Sequence, residues 1–211
     1  KTIQWNDSID LEEVCREVAG VLSSGGLVCL PCAGRYRIVA DFSNADAVIA
    51  LMQSKSRVHK APALVFIHDE SLLDQVAGDV DPLALKLARA NWPGPLTIRV
   101  KPHEDLPGKV RKQLGGKKSK IGVRIPADSL LRSLAECVGK PLLVSSANRE
   151  KKSGESSPAQ VRKTFAARVD VFVDRGDLQP EPTSTVIDIK DGEIVVERAG
   201  SISKDTLEGG A

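Results

Sequence analysis

The hydrophobic positions of the chain repeat with a helical period in some segments and form short continuous runs in others. Between Leu11 and Leu22, apolar residues lie three and four positions apart, which predicts a helix that Gly25-Gly26 ends. The short apolar runs are typical of buried strands. They predict strands at 27–30, 38–40, 63–67, 96–100, 121–125, 142–144, 169–173, 186–189 and 194–196.

Capping residues mark the other predicted helices. Asn44 caps one helix, and Asp81-Pro82 opens another, which Trp92-Pro93-Gly94-Pro95 must end. A further helix is predicted over 130–138, and Ser157-Pro158 opens one more. The predicted helices therefore lie between predicted strands along most of the chain.

This order of elements predicts an α/β protein with a mixed β-sheet. Asp191-Gly192 separates the last two predicted strands, which is a strong signal for an antiparallel hairpin. We find no internal repeat in the chain and no linker long enough to divide it. We therefore expect a single domain over 1–211, with an irregular, peripheral start at 1–9 and a peripheral end at 204–211 that frays from Leu207 onward.

Composition narrows the functional classes. The 211 residues, 41% of them hydrophobic and 27% charged, suffice for one substantial core. With 3% aromatic residues, an aromatic-rich nucleic-acid reader is disfavoured, and a net charge of +2 does not demand a polyanionic partner. No apolar run reaches the roughly 20 residues that cross a bilayer, and the start lacks a signal-peptide pattern. We expect a cytoplasmic protein without a membrane association.

The segment Cys29-Leu30-Pro31-Cys32 is a C-x-x-C and must be weighed as a redox or zinc site. A redox pair should open a helix, yet Ala33-Gly34 leads into another extended stretch. A zinc site would need two further ligands, and the histidines show no paired spacing. We expect reduced, structural thiols and no metal site.

Six basic residues crowd a glycine-containing loop. They either stay solvated or attract a triphosphate or RNA electrostatically, without reading its sequence. The residues are Lys109, Arg111, Lys112, Lys117, Lys118 and Lys120.

Two polar segments become informative because other motifs occur with them. Alone, Lys55-Ser56-Arg57 is a helix end with solvated cations, and Ser145-Ser146-Ala147-Asn148 after a buried strand is either a turn or a ligand contact. Three more motifs occur with them in a fixed order. The set is K-x-R at 55–57, W-P-G-P-L-T at 92–97, G-x-R-x-P at 122–126, S-A-N at 146–148 and S-T-V-x-D at 184–188, followed by R-A-G at 198–200.

This ordered set resembles the YrdC-like family of threonylcarbamoyl-AMP synthases, from about Gly25 to about Ser203. The resemblance implies a YrdC-like fold, in which a twisted mixed β-sheet flanked by helices has a concave basic face. It also implies a nucleotidyltransferase that condenses L-threonine, bicarbonate and ATP into threonylcarbamoyl-AMP for N6-threonylcarbamoyladenosine modification of tRNA. We expect ATP and Mg²⁺ at the site, and contact with tRNA or double-stranded RNA through the basic face.

The resemblance also assigns roles to individual residues. Lys55 and Arg57 are expected to be the catalytic cations on the phosphates, since a carbamate nucleophile needs positive charge there more than a general base. Arg198 is expected to add charge. The other expected nucleotide contacts are Thr97, Ser146, Asn148 and Ser184, and the expected substrate contacts are Cys32, Tyr36 and Arg124.

The chain departs from the family in the segment after the first predicted strand. Where relatives have T-D-T-x-Y-G-L, this chain has residues 32–38, and only Tyr36 matches. The change removes two hydroxyls and a carboxylate and introduces Arg35 and Arg37. Two alternatives therefore stay open: a relative that adenylates a different carbamate, and a non-catalytic paralogue that binds nucleotide or RNA. The sequence does not indicate an oligomeric state.

Overall fold

The computed structural model describes residues 1–6, 9–54, 63–114, 119–148 and 155–209. The described strands all belong to one sheet of ten strands, and helices flank it on both faces. In chain order, the strands are β1 Thr2–Gln4, β2 Val28–Cys32, β3 Arg35–Asp41, β4 Leu64–Phe66, β5 Leu96–Val100, β6 Ile121–Arg124, β7 Leu142–Ser146, β8 Val171–Asp174, β9 Thr185–Lys190 and β10 Glu193–Arg198.

The sheet is mixed, as the sequence predicts. Its strands run in the order β1-β8-β2-β3-β7-β4-β6-β5-β9-β10. The pairs β1–β8, β2–β8, β4–β6 and β5–β9 are parallel, and the other five are antiparallel. The chain thus crosses from one half of the sheet to the other, which brings residues far apart in sequence onto one face.

The described helices are α1 Leu11–Ser23, α2 Ala45–Ser54, α3 Pro82–Asn91, α4 Gly108–Gln113, α5 Ser129–Val138, α6 Pro158–Phe165 and α7 Lys204–Gly209, with 3₁₀ turns at Glu70–Gln75 and Ala166–Arg168. Three of them, α2, α3 and α6, begin at the predicted caps. Asn44 accepts hydrogen bonds from the backbone of Asp46 and Ala47, and Asp81 accepts one from Leu83. Both caps confirm the prediction.

Two hydrophobic cores lie on opposite faces of the sheet. One contains residues of α2, α3, α4, α6 and α7, and the other contains residues of α1 and α5. The α1/α5 core includes residues of β1, β2, β3, β4, β7 and β8, but none of β5, β6, β9 or β10. On the α1/α5 face, the described helices therefore leave the half of the sheet that contains β5, β6, β9 and β10 uncovered, with room for a ligand.

Both described ends of the chain are more ordered than expected. Thr2–Gln4 forms an edge strand that pairs in parallel with β8, although an irregular start was expected. The expected fraying from Leu207 onward is wrong for Leu207–Gly209, because α7 forms there and the Leu207 side chain is only 1% exposed, packed in the core. A strand of three residues is too short to show a periodic hydrophobic pattern, and so is a short helix with a single buried side chain.

The C-x-x-C segment forms part of β2, and its two thiols lie on opposite faces of the sheet. Cys29 belongs to the core beneath α2 and α3, whereas Cys32 belongs to the α1/α5 core. Residues three apart in a strand point to opposite sides, so these thiols cannot form a disulfide or share a metal ion. Both are free.

Among the described residues, no helix has both the length and the apolar character that crossing a membrane would require.

Candidate active site

A cavity of about 370 Å³ lies on the sheet face that α1 and α5 leave uncovered. Strand register explains which side chains line it. Arg37 on β3 pairs with Ser146 on β7, Arg99 on β5 pairs with Gly122 on β6, and Thr97 pairs with Val186 on β9. Because cross-strand partners share a face, these residues meet in one cavity, to which β4 and β10 also contribute, so that seven strands line it. Its volume falls in the range of small-molecule sites.

Arg198 reaches this face because β10 contains a bulge. The pairing shifts between Val196, which lies opposite Ile187, and Arg198, which lies opposite Val186. Without the extra residue, Arg198 would point to the same side as Val196, which packs against the other core. The bulge therefore turns the Arg198 side chain into the cavity, where it meets residues of β5 and β9.

Thr97, Ser184 and Arg198 form one hydrogen-bonded group. The Thr97 and Ser184 hydroxyl oxygens lie 3.0 Å apart, and both side chains are buried. Arg198 Nη2 donates to Ser184 Oγ at 2.9 Å. Burial lowers the pKa of Arg198, and the positive charges of Arg37 and Arg35 lower it further. A cation held among like charges favours the binding of an anion.

Gly200 allows this group to form. A Cβ atom at this position would lie 2.4 Å from three backbone atoms: the Ser184 carbon, the Thr183 oxygen and the Thr185 nitrogen. Ser201 N also donates to the Thr183 oxygen at 3.0 Å. The R-A-G segment thus packs directly on the S-T segment, which explains why a glycine follows Arg198 by two positions.

The S-A-N segment follows β7 as a tight polar turn. Ser146 Oγ donates to Asn148 Oδ1 at 2.5 Å, and Asn148 N donates to the Ser146 carbonyl oxygen at 2.9 Å. Ala147 N donates to the Tyr36 carbonyl oxygen, which fixes the turn against β3. The Ser146 side chain lines the cavity, and the Asn148 side chain accepts its hydrogen bond.

Tyr36 lies on the other side of the sheet from the cavity. Its side chain is fully buried and stacks on Phe172, with 5.3 Å between the ring centroids. Its hydroxyl donates to the Gly176 carbonyl oxygen and accepts from Arg175 N, at 2.9 and 3.0 Å. In this structure the side chain supports the fold, and the predicted substrate contact of Tyr36 stays a prediction.

Cys32 and Arg124 lie beside the cavity, on its face of the sheet. Cys32 is buried, and burial raises the pKa of its thiol to about 12. The Arg124 guanidinium lies 5.8 Å from the centre of the Phe66 ring. Burial lowers the pKa of Arg124; the Cys32 thiolate raises it, and the charges of Arg37 and Arg198 lower it further. The two predicted substrate residues are thus neighbours.

Arg37 is a cavity residue that the sequence alone did not assign to the site. It lines the cavity, and its positive charge lowers the pKa values of Cys32, Arg124 and Arg198. The spacing of Arg35 and Arg37 contained a signal, since residues two apart in a strand share a face. Arg99 and Glu197 also line the cavity, with 3.0 Å between Arg99 Nε and Glu197 Oε2.

The predicted catalytic pair, Lys55 and Arg57, lies outside the described residues. A metal site is not formed by the side chains that are described: they contain no group of three or more His, Cys, Asp or Glu residues that could hold an ion. Among the described residues that line the cavity, Glu197 is the single carboxylate, and Arg99 already binds it. These residues do not fit a protein-held Mg²⁺ ion.

A larger cavity of about 870 Å³ lies at the far end of β5 and β9. The described residues that line it include none of the predicted site residues, and charged pairs occupy part of it. Lys120 Nζ lies 2.5 Å from Asp188 Oδ1, and His103 Nδ1 lies 3.6 Å from Asp105 Oδ2. We place the candidate site in the smaller cavity, because its guanidinium groups outnumber its carboxylates.

The structure describes four members of the basic cluster, and two of them, Arg111 and Lys120, line the larger cavity. Lys109, Arg111 and Lys112 lie on α4, and Lys120 forms an ion pair with Asp188. The other two members, Lys117 and Lys118, lie outside the described residues. Contact with tRNA or double-stranded RNA stays a prediction.

Comparisons with known proteins place this geometry in context. Residues 20–200 match the model of the Sua5/YciO/YrdC family, whose description reads "Telomere recombination". The chain is 28% identical over 193 residues to the threonylcarbamoyl-AMP synthase of Pyrococcus abyssi, which covers 92% of this chain and 56% of that protein. It is 31% identical to a putative threonylcarbamoyl-AMP synthase of Methanocaldococcus jannaschii, over 79% of this chain and 76% of that protein.

A solved structure agrees with the fold. Sua5 of Pyrococcus abyssi, crystallised with L-threonine, superposes with a TM-score of 0.86 at 27% identity, covering 100% of this chain and 60% of that one. The chain thus spans little more than half the length of the Pyrococcus abyssi relative. The twisted mixed sheet with flanking helices is the shared part.

Proposed function

The chain belongs to the Sua5/YciO/YrdC family, and on that basis we propose that it is a nucleotidyltransferase that makes threonylcarbamoyl-AMP from L-threonine, bicarbonate and ATP. The product would serve N6-threonylcarbamoyladenosine modification of tRNA. The observation that carries the proposal is the cavity, where Arg37 and Arg198 accompany neutral donors on one sheet face. Such a set suits phosphates and carboxylates.

The proposed reaction depends more on positive charge near the phosphates than on a general base. Threonine and bicarbonate form a carbamate, whose oxygen is already an anionic nucleophile. Its attack on the α-phosphorus forms an O–P bond and releases pyrophosphate with the electron pair of the broken bond. Positive side chains that stabilise the phosphate charge in the transition state therefore lower the barrier.

Each residue has a place in this proposal. Arg198, held by Ser184, would bind phosphate oxygens together with Lys55 and Arg57. Thr97, Ser146 and Asn148 would position the nucleotide through neutral hydrogen bonds. Cys32 and Arg124 would lie on the amino-acid side, with the Arg124 guanidinium on the threonine carboxylate.

Four further expectations belong to the same proposal. ATP is the proposed nucleotide substrate, and Mg²⁺ would accompany its phosphates, although no step derived from the described side chains uses the ion. ATP as a substrate, and tRNA as the molecule that the product serves to modify, suggest the cytoplasm as the site of the reaction. Contact with tRNA would use the basic residues on α4.

One observation favours a second candidate function. Residues 32–38, which differ from the family pattern, form the hairpin between β2 and β3 and contribute Cys32 and Arg37 to the site. A site that reads a hydroxyl amino acid usually contains matching polar groups. A synthase of the same type that adenylates another carbamate is therefore the alternative.

The experiment is ATP–pyrophosphate exchange with bicarbonate and a panel of amino acids. Exchange that depends on threonine supports the proposal, exchange without threonine supports the alternative, and no exchange under any condition rejects both. Arg57→Ala should abolish turnover and leave the melting temperature nearly unchanged. Arg16→Ala, an exposed arginine on α1, is the matched control and should retain full exchange.

A further inference from the structure

Arg37 lines the cavity of the site together with Ser146 and Arg198. Along β3 it lies opposite Ser146, a proposed nucleotide contact. After burial, its charge has the second-largest influence on the pKa of both Cys32 and Arg198, and it also acts on Arg124. Arg37 is therefore close to the proposed amino-acid residues, Cys32 and Arg124, and to the proposed nucleotide residues, Ser146 and Arg198.

The Arg37 side chain also has unused hydrogen-bonding capacity. Its Nε atom is buried and has no hydrogen-bond partner among the described residues. A buried, unpartnered guanidinium nitrogen is unfavourable unless a ligand supplies an acceptor. Arg35, two residues earlier on the same face, differs: its Nη1 donates to the Glu181 carbonyl oxygen at 2.8 Å.

The order of groups in the reaction indicates which acceptor fits. The amino acid, the carbamate and the phosphate are joined in that order, so the carbamate lies between the amino-acid and nucleotide ends of the ligand. N-carboxythreonine carries two carboxylates, one on the α-carbon and one on the nitrogen. With Arg124 on the first, a second guanidinium is needed for the other, and Arg37 lies at that position.

We propose that Arg37 binds the carbamate carboxylate of N-carboxythreonine and holds it beside the α-phosphate, an inference that rests on the proposed function. Threonine amine and bicarbonate give the carbamate and water. One carbamate oxygen then attacks the α-phosphorus, and the bond to the β-phosphate oxygen breaks. Arg37 keeps its proton throughout and neutralises the charge of the nucleophile until the O–P bond forms.

This role is particular to the chain. The family pattern has glycine where Arg37 lies, so a relative with that pattern has no side chain at this position to contact the ligand. Here a guanidinium replaces polar groups that the chain lost at 32–34. The inference therefore identifies Arg37 as the residue that adapts an altered pocket to an anionic intermediate.

Steady-state kinetics of Arg37→Gln and Arg37→Lys test the proposal, with bicarbonate varied in degassed buffer. Arg37→Gln should raise the KM for bicarbonate about 10-fold or more, as expected for loss of a charge-assisted hydrogen bond, and change the KM for ATP less than about 3-fold. Arg37→Lys should recover part of the loss. Arg16→Gln, at an exposed arginine of α1 outside the site, is the matched control and should leave the bicarbonate KM at the wild-type value.

Two controls separate the ways the inference can fail. Melting temperatures of the variants should match the wild type, and binding of a non-hydrolysable ATP analogue should be retained. If the wild-type protein shows no threonine-dependent exchange, the proposed function fails first. If the wild type is active and Arg37→Gln raises the ATP KM, or leaves the bicarbonate KM unchanged, Arg37 does not bind the carbamate and the inference is rejected.

Discussion

Arg198 holds Ser184 through three hydrogen bonds. Its Nε and Nη2 atoms donate to the Ser184 carbonyl oxygen at 3.2 and 2.9 Å, and Nη2 also donates to Ser184 Oγ. The hydroxyl in turn contacts Thr97 on the neighbouring strand. A long, flexible side chain is thereby fixed in one orientation before a ligand arrives, which reduces the entropy lost on binding.

Ser184→Ala should weaken the proposed nucleotide binding. The change removes one bond to Arg198 and leaves the buried Thr97 hydroxyl without its Ser184 partner, so we expect the KM for ATP to rise about 3- to 10-fold. The free energy of unfolding should fall by about 1 kcal/mol. Initial rates of pyrophosphate release and chemical denaturation measure the two effects.

Ser201→Ala is the control for Ser184→Ala. Ser201 Oγ is exposed and donates to the carbonyl oxygen of Thr183, the residue that precedes Ser184. This variant should have wild-type kinetics. An unchanged ATP KM in Ser184→Ala would show that Arg198 does not depend on the Ser184 hydroxyl for its orientation, since its bonds to the Ser184 carbonyl oxygen remain.

Gly200→Ala should disrupt the same group from outside the cavity. The new methyl would lie 2.4 Å from backbone atoms of residues 183–185, which cannot rotate away as a side chain could. We expect a loss of about 1 to 3 kcal/mol in stability, as is usual for overpacking, together with a raised ATP KM. Differential scanning calorimetry and exchange kinetics provide the measurements.

The control for Gly200→Ala is Gly20→Ala, in the last turn of α1. A Cβ there would contact nothing within 4 Å, so the methyl should raise the melting temperature or leave it unchanged. A Gly200→Ala protein with wild-type stability would show that the R-A-G segment can move away from Ser184.

The sequence predicts most of this fold because its signals are local. Caps such as Asn44 and Asp81, and the hairpin turn at Asp191-Gly192, act through neighbouring backbone groups, and the structure confirms them. Even the strand hairpin at Ala33-Gly34 has a local cause, since both residues adopt a positive φ between β2 and β3. Edge strand β1 escaped detection because its partner, β8, is distant in sequence.

The site was less accessible to sequence reasoning, for two physical reasons. Arg198 enters the cavity only because of a bulge, which reverses the face that simple alternation assigns to it. Tyr36 matches the family pattern by identity, yet its direction depends on the register of β3, which sends it to the core with Phe172. Motif resemblance indicated Arg198 without explaining its placement.

Tyr36 should titrate far above the ordinary range of tyrosine. Burial raises its pKa from 10.0 to about 12. Because Tyr36 is the chain's one tyrosine, ultraviolet absorbance of the phenolate reports on it alone. The native protein should ionise near pH 12, and the protein in concentrated guanidinium near pH 10. Tyr36→Phe supplies the background.

The same shift predicts a loss of stability in alkali. The neutral phenol is the buried form, so its contribution is complete below pH 10.0 and is lost as the pH rises toward about 12. The melting temperature should therefore decrease across this window, and less steeply in Tyr36→Phe. A native phenol that ionises at the unfolded value would show that the ring is open to solvent.

The four thiols should divide into one reactive and three protected groups. Cys137 is exposed, whereas burial raises the pKa of the Cys29 and Cys32 thiols, that of Cys32 to about 12. Burial, with the neighbouring Cys137 thiol, raises the pKa of Cys15 to about 11. Since the thiolate is the nucleophile, the buried thiols lack both access and reactivity near neutral pH.

Titration with a disulfide reagent at about pH 8, near the usual pKa of a thiol, tests this division. We expect one fast equivalent from the native protein and four after denaturation, since opening the two cores exposes the rest. Cys137→Ser should remove the fast phase and keep the other three. Cys29→Ser should leave the fast phase intact. A second fast equivalent that persists in Cys15→Ser, which lacks the thiol beside Cys137, would mean that β2 opens readily, and this contradicts the packing of both cores around the sheet.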